Sequence, residues 1–207
     1  MTDATTPIRH IVFDIGKVLI HYDPHIPFSR LIPDEAERNT FFATVCTHEW
    51  NLEQDRGRSW AEAEDLLVAQ YPEQEANIRA FRTHWGEMVP HAYEESVAIL
   101  EGLVAKGYDV TMLTNFAEDT FAEARARFAF LNLPRGVTVS GEKRQIKPDL
   151  DIYETHQAAF DLEPAATLFI DDSLANVEGA RAAGWQAVQF IDGPRLKADL
   201  ARLGLPV

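Results

Sequence analysis

From Ala92 onward, segments of strand character alternate with segments of helical spacing. Val97, Leu100, Leu103 and Val104 recur at helical spacing and stop at Gly107, a residue suited to a helix end. Residues 109–113 read as a strand running into Thr114-Asn115. The spacing then predicts a helix over 118–127, a strand near 137–140, a helix over 152–160 and a strand over 167–170 that ends in Asp171-Asp172. A helix over 174–183, halted by Gly184, and a strand over 186–190 follow. Such alternation specifies α/β architecture: a parallel sheet with helices on its faces. The short apolar run Ile11-Val12-Phe13 adds a buried strand that delivers Asp14 at its C-terminal end. Parallel sheets bind ligands beyond the C-terminal ends of their strands. The topology therefore gathers Asp14, Thr114 and Asp171-Asp172 at one edge, although they lie far apart in sequence.

The stretch from 23 to 90 has a different texture, rich in Glu, Ala, Trp and Arg. Phe41, Phe42, Val45 and Cys46 fall at helical spacing, as do Trp60, Ala63, Leu66 and Leu67. The expected organisation is an α/β core over 1–22 and 91–207, with a small helical unit over 23–90 inserted after the first strand. A chain of 207 residues can bury one sizeable core with such an insertion.

Charge narrows the partners. The formal net charge of −14 repels nucleic-acid phosphates and acidic lipid headgroups, so neither a nucleic acid nor a membrane is expected as a partner. It repels a phosphorylated metabolite as well, so a phosphate site here needs local cations or a metal. The single cysteine, Cys46, excludes an internal disulfide and reads as a small buried apolar residue. Residues 1–7 lack an apolar leader core, and no apolar run reaches membrane-spanning length, so a cytoplasmic location is expected. Oligomeric state leaves no signal in the sequence.

Phosphoryl transfer to an enzyme group requires an in-line nucleophile, positive charge on the phosphoryl oxygens and donors that fix orientation. Asp14 can attack phosphorus and also ligate Mg2+; Asp171 and Asp172 add the hard oxygen ligands that this ion prefers. Lys147 supplies a cation, and Thr114 and Asn115 supply hydrogen-bond donors. Each also has a plain structural reading: Asp171-Asp172-Ser173 before a helix serves equally as capping and dipole charge. Their order and their shared placement at strand ends lift the set.

In that order the residues resemble the haloacid dehalogenase superfamily, in its subfamily I branch (type IA, variant 3) with a helical cap after the first strand. The family's Asp-x-Asp-x-Thr/Val motif is Asp14-Ile15-Gly16-Lys17-Val18 here, its strand-end Ser/Thr is Thr114, its Lys-Pro is Lys147-Pro148 with Tyr153 following, and its acidic pair is Asp171-Asp172 with Asn176 following. The resemblance covers nearly the whole chain and implies a Rossmann-like core. It also implies Mg2+-dependent hydrolysis of small phosphate monoesters through an aspartyl-phosphate on Asp14. Mg2+ would be held by Asp14, the backbone carbonyl of Gly16, Asp172 and, through a water, Asp171. Thr114, Asn115 and Lys147 would hold the phosphoryl group, and residues 23–90 would cap the site.

The sequence departs from the family at Gly16, where the second Asp normally protonates the leaving alcohol and then deprotonates water. Gly16 keeps a carbonyl for the metal but cannot move a proton. A sugar-phosphate phosphatase subgroup has a similar Asp-x-Gly-x-Val start, and a leaving group good enough to depart unprotonated accounts for the change. Alternatively His48 or Glu49 from the insertion, or Lys17 or His21, takes the proton, or the protein binds phosphorylated ligands without turnover. A 2-haloacid dehalogenase on the same fold also needs no such Asp, but Asp171-Asp172 in a metal-free site would repel the attacking Asp14. For substrate contact the insertion offers His48, Trp50, Glu53, Arg56, Trp60 and Trp85.

Overall fold

A computed structural model describes residues 6–206. Most of the expectation drawn from residues 1–7 therefore lies outside the described residues. Five strands form one parallel sheet: β1 (His10–Phe13), β2 (Asp109–Thr114), β3 (Val137–Val139), β4 (Thr167–Asp171) and β5 (Gln186–Gln189), in the order β3-β2-β1-β4-β5. β1 is central. Ile11, Val12 and Phe13 are fully buried, as an apolar run covered on both faces requires. Alternation decides the faces: Ile11 and Phe13 join the larger core, whereas Val12 packs with Leu113, Phe169, Tyr153 and Trp185 on the other side. After β3 the chain returns past β1 to build β4, so β1 and β4 flank the point where strand order reverses. Crevices for ligands open there.

Between β1 and β2 the chain is helical, as the sequence predicts: α1 (His25–Leu31), α2 (Glu35–Thr44), α3 (His48–Asp55), α4 (Trp60–Gln70), α5 (Glu75–Thr83) and α6 (Trp85–Met88). Asp34, Thr47 and Ser59 each accept a hydrogen bond from a first-turn N–H, which fixes where α2, α3 and α4 begin. Phe28, Phe41 and Phe81 bury their rings against one another and against the same cluster that holds Ile15 and Val18. Within α4 the expected apolar face is narrower than its spacing implied. Ala63 and Leu67 are buried, but Leu66 is half exposed.

The later helices are α7 (Glu94–Ala105), α8 (Glu118–Arg127), α9 (Ser140–Lys143), α10 (Leu150–Phe160), α11 (Leu174–Ala182) and α12 (Gly193–Arg202). Five of the six fall where alternation or spacing placed a helix, or close the chain. The exception is α9, a single turn that starts where the third strand was expected to end. No helix among the described residues is long and apolar enough to cross a membrane.

Candidate active site

Asp14 follows β1 directly, and its N–H donates to the carbonyl of Ile170 at 2.9 Å. Phe13 is level with Met112 and Ile170, so Asp14 stands level with Asp171 on the neighbouring strand. The next residues coil tightly: the Ile15 carbonyl accepts from Val18, Leu19 and Ile20, and Lys17 adopts a left-handed φ of 57°. That conformation costs a non-glycine residue about 1 kcal/mol, and three converging hydrogen bonds hold it. The Gly16 carbonyl accepts none of this loop's backbone hydrogen bonds, and Gly16 lines the cavity.

Lys147 ties the strand ends together. Its Nζ donates to Asp14 Oδ1 at 2.8 Å, to Asp171 Oδ2 at 2.7 Å and to the Leu113 carbonyl at 3.0 Å, so all three donors are used. Burial alone would lower its pKa, but the two carboxylates hold it above the ordinary lysine range and keep it charged. Asn115 clamps the loop that carries it: the side-chain amide donates to the Lys147 carbonyl (3.0 Å) and accepts from the Lys147 N–H (2.9 Å). Asp171 accepts from Asn176 at 3.1 Å and from the Ser173 N–H at 2.8 Å, while Tyr153 Oη fixes the Asn176 carbonyl at 2.8 Å.

Three carboxylates crowd this one ammonium. Oxygens of Asp14, Asp171 and Asp172 lie within 4.8 Å of one another. Burial pushes Asp14 up to about 7; Lys147 opposes the rise, and Asp171 and Asp172 add to it. Burial and Asp171 also raise Asp172, against the pull of Lys17 and Lys147. The cluster carries a surplus of negative charge that Lys147 alone does not neutralise. Carboxylate oxygens plus the free Gly16 carbonyl fit a hard divalent cation. Beside them, the Thr114 hydroxyl is buried and has no hydrogen-bond partner. Such a group is costly unless a ligand or water satisfies it.

A cavity of about 450 Å³ opens on this cluster. Asp14, Gly16, Asn115, Lys147 and Asp172 form its floor, while Thr114 and Asp171 lie just behind. Ile20, Leu52, Trp60, Trp85, Val89 and Phe116 give it apolar walls, with His48, Asn51 and Tyr22 among them. Of the insertion residues singled out from sequence, His48, Trp60 and Trp85 reach this space. Trp50 packs on Trp60 and Phe81 and donates to the Ala63 carbonyl, Glu53 pairs with Arg56, and Arg56 reaches out to Asp149. Among the proposed proton carriers, Glu49 is exposed and outside the cavity, and His21 is bonded to Tyr93 Oη and stacked on His91. Lys17 is exposed at the mouth, yet close enough for its charge to act on Asp172.

Sequence reasoning passed over Asp55, the last residue of α3. It lines the same cavity, half-buried, with the Ala117 N–H near enough to favour its charged form. Burial pushes it up to about 7; Ala117 opposes this and the charge of Asp14 adds to it. No local motif marks it. The only available signal was the lost carboxyl at Gly16, which called for a search of acidic residues throughout 23–90.

Residues 8–184 match the family model of haloacid dehalogenase-like hydrolases. The sesquiterpene phosphatase astK of Aspergillus oryzae is 28% identical over 202 residues, covering 96% of this chain and 97% of its own. A predicted HAD-like hydrolase from Porphyromonas gingivalis superposes with a TM-score of 0.73 at 22% identity, covering 97% of this chain and 99% of that one. The HAD family enzyme bt-2542 of Bacteroides thetaiotaomicron, in complex with magnesium and inorganic phosphate, superposes at 0.69 with 21% identity, over 90% and 96% of the two chains.

Proposed function

The chain belongs to the haloacid dehalogenase-like hydrolases, and from that premise we propose that it hydrolyses small phosphate monoesters with Asp14 as the nucleophile. The observation that carries this reading is the Asp14–Asp171–Asp172 cluster bridged by Lys147. A haloacid is itself an anion, and two further carboxylates beside the nucleophile disfavour it. A phosphate ester brought in with a cation relieves the same repulsion. In this reading Asp14, the Gly16 carbonyl and Asp172 hold Mg2+, with Asp171 acting through a water because Lys147, Asn176 and Ser173 already occupy its oxygens. When bound, the ion neutralises charge on the phosphoryl oxygens. Lys147 lends its positive charge to those oxygens, the Thr114 hydroxyl orients them, and Asn115 keeps Lys147 in register.

Residues 23–90 serve as a cap over a core of 1–22 and 91–207, closing the cavity to water. The apolar walls favour an alcohol with apolar surface, in keeping with the name of the A. oryzae relative. A sugar phosphate is the second reading, supported by the polar positions His48 and Asn51 on the same walls.

The test is phosphate release from p-nitrophenyl phosphate, sugar phosphates and a sesquiterpene alcohol monophosphate, with Mg2+ and with EDTA. Asp14→Asn is expected to abolish release, and chelation to suppress it at least 100-fold. Release that survives both would remove the proposed chemistry. Halide release from 2-haloacids in place of phosphate would move the function to dehalogenation.

A further inference from the structure

Gly16 lacks the carboxyl that its family places two residues after the nucleophile, and the space for one is vacant. A Cβ built on Gly16 meets no atom within 4 Å. A poor leaving group therefore has to find its proton elsewhere in the cavity. Of the wall's ionisable groups, Lys17 and His48 are exposed, and Asp172 and Lys147 belong to the charge cluster on the floor. Burial and the nearby charges of Asp55 and Asp23 raise the Tyr22 phenol well above its ordinary range, so it releases no proton near neutrality. Asp55 remains: a carboxyl facing the same space as Asp14 and outside the Lys147 cluster.

Asp55 is also held in place by the core although the insertion carries it. Ser140 Oγ donates to the Asp55 carbonyl at 2.5 Å and accepts from the Phe116 N–H at 2.8 Å. Arg56 pairs with Asp149 at 3.2 Å. Gly57, at φ 98°, lies so close to the Gly141 carbonyl that a Cβ there would come within 2.9 Å. The segment is thereby pinned to the loop after β2 and to α9. The charged groups acting on the Asp55 carboxyl are Asp14 and Lys147, while Arg56 on its own helix turns out to Asp149.

We propose that Asp55 is the general acid and base of this site, in place of the carboxyl that Gly16 lacks. The assignment rests on the phosphatase reading. Asp14 Oδ attacks phosphorus, the bond from phosphorus to the ester oxygen breaks, and the Asp55 carboxyl gives its proton to that oxygen, releasing the alcohol. A water oxygen then attacks phosphorus as Asp55 takes its proton. The phosphorus–Asp14 bond breaks, phosphate leaves, and both carboxyls return to their starting states. An aryl leaving group needs no proton in the first half, but the second half needs the base whatever the substrate.

Asp55→Asn keeps the size of the side chain and the backbone bond from Ser140. With p-nitrophenyl phosphate the variant should release one equivalent of p-nitrophenolate in a burst and then turn over at least about 100-fold more slowly than wild type. With an alkyl phosphate it should give no burst. Adding Gly16→Asp should restore alkyl turnover in the Asp55→Asn background. Asp55→Asn turning over the alkyl ester within threefold of wild type would overturn the proposal. So would an equal loss on both esters without a burst, the mark of a purely structural role at the start of α8. A large gain from Gly16→Asp in wild type, which needs no Asp55 variant, would show that the acid is missing and overturn it too. In each of these cases wild-type phosphate release leaves the phosphatase reading standing. A wild-type protein inert on every ester removes both.

Discussion

At the scale of single residues, buried ionisable groups divide by whether charge is matched. Lys147 stays charged because two carboxylates meet it, whereas His156 stays neutral because nothing does. Its ring lies fully buried between the hydroxyls of Thr111 (3.0 Å) and Thr138 (2.8 Å). Burial lowers its pKa to about 3, well below the ordinary value of 6.5. Between those values the unfolded chain binds a proton that the folded one refuses, so this residue's contribution to stability is complete above pH 6.5 and lost as pH falls toward 3. Urea unfolding of wild type and His156→Gln should show it. Wild type should lose about 1.4 kcal/mol per pH unit more than the variant below pH 6.5. Parallel pH profiles would mean that the imidazole protonates in place. Asp55 has the opposite sign, since its raised pKa makes stability fall as pH rises from about 4 to about 7, which is why the comparison is made between variants and not on wild type alone.

At the scale of elements, the contact that matters most is where the end of α3 meets the loop after β2. Gly57 sits at φ 98° against the Gly141 carbonyl, and Ser140 binds Asp55 on one side and Phe116 on the other. Gly57→Ala introduces both a disfavoured φ and a close contact, at a cost of roughly 1–3 kcal/mol. The chemical consequence follows from the same geometry: displacing Asp55 should lower kcat for alkyl phosphates by about tenfold or more and give the p-nitrophenolate burst expected of Asp55→Asn. Thermal melting beside burst kinetics separates the two effects. A destabilised variant with wild-type alkyl turnover would show that the α3 end is not positioned by this contact. Further ties cross the same boundary, with Arg82 on Asp119 and Glu123, and Arg127 on the carbonyls of Gly86 and Pro90.

At the scale of the whole molecule, a net charge of −14 opposes an anionic substrate while Lys17 and Lys147 attract it at short range. Screening weakens the long-range field far more than the buried contacts. Raising ionic strength from about 10 to 150 mM, across which the Debye length falls from about 30 to about 8 Å, should therefore raise kcat/KM for a dianionic phosphate ester by about twofold. A steep fall with salt would place a larger basic surface around the mouth than the sequence supplies.

The order of strands and helices was legible because parallel sheets impose short unbroken apolar runs, and helices impose their own period and end at residues such as Gly107 and Gly184. The floor of the cavity was legible for a related reason: β1, β2 and β4 are adjacent and parallel, so residues at their C-terminal ends meet. Asp55 was not legible. Its neighbours Asp14, Lys147 and Ala117 come from segments far away in the chain, and its role depends on how a helix end docks on a distant loop. Periodicity likewise placed Leu66 on a buried face and Trp50 among substrate contacts, because spacing specifies a helix face but not what packs against it. Sequence alone determined the fold and the charged cluster, through local period and strand-end position. Tertiary structure decided which side chains of the insertion face that cluster, because packing across distant segments has no local signature.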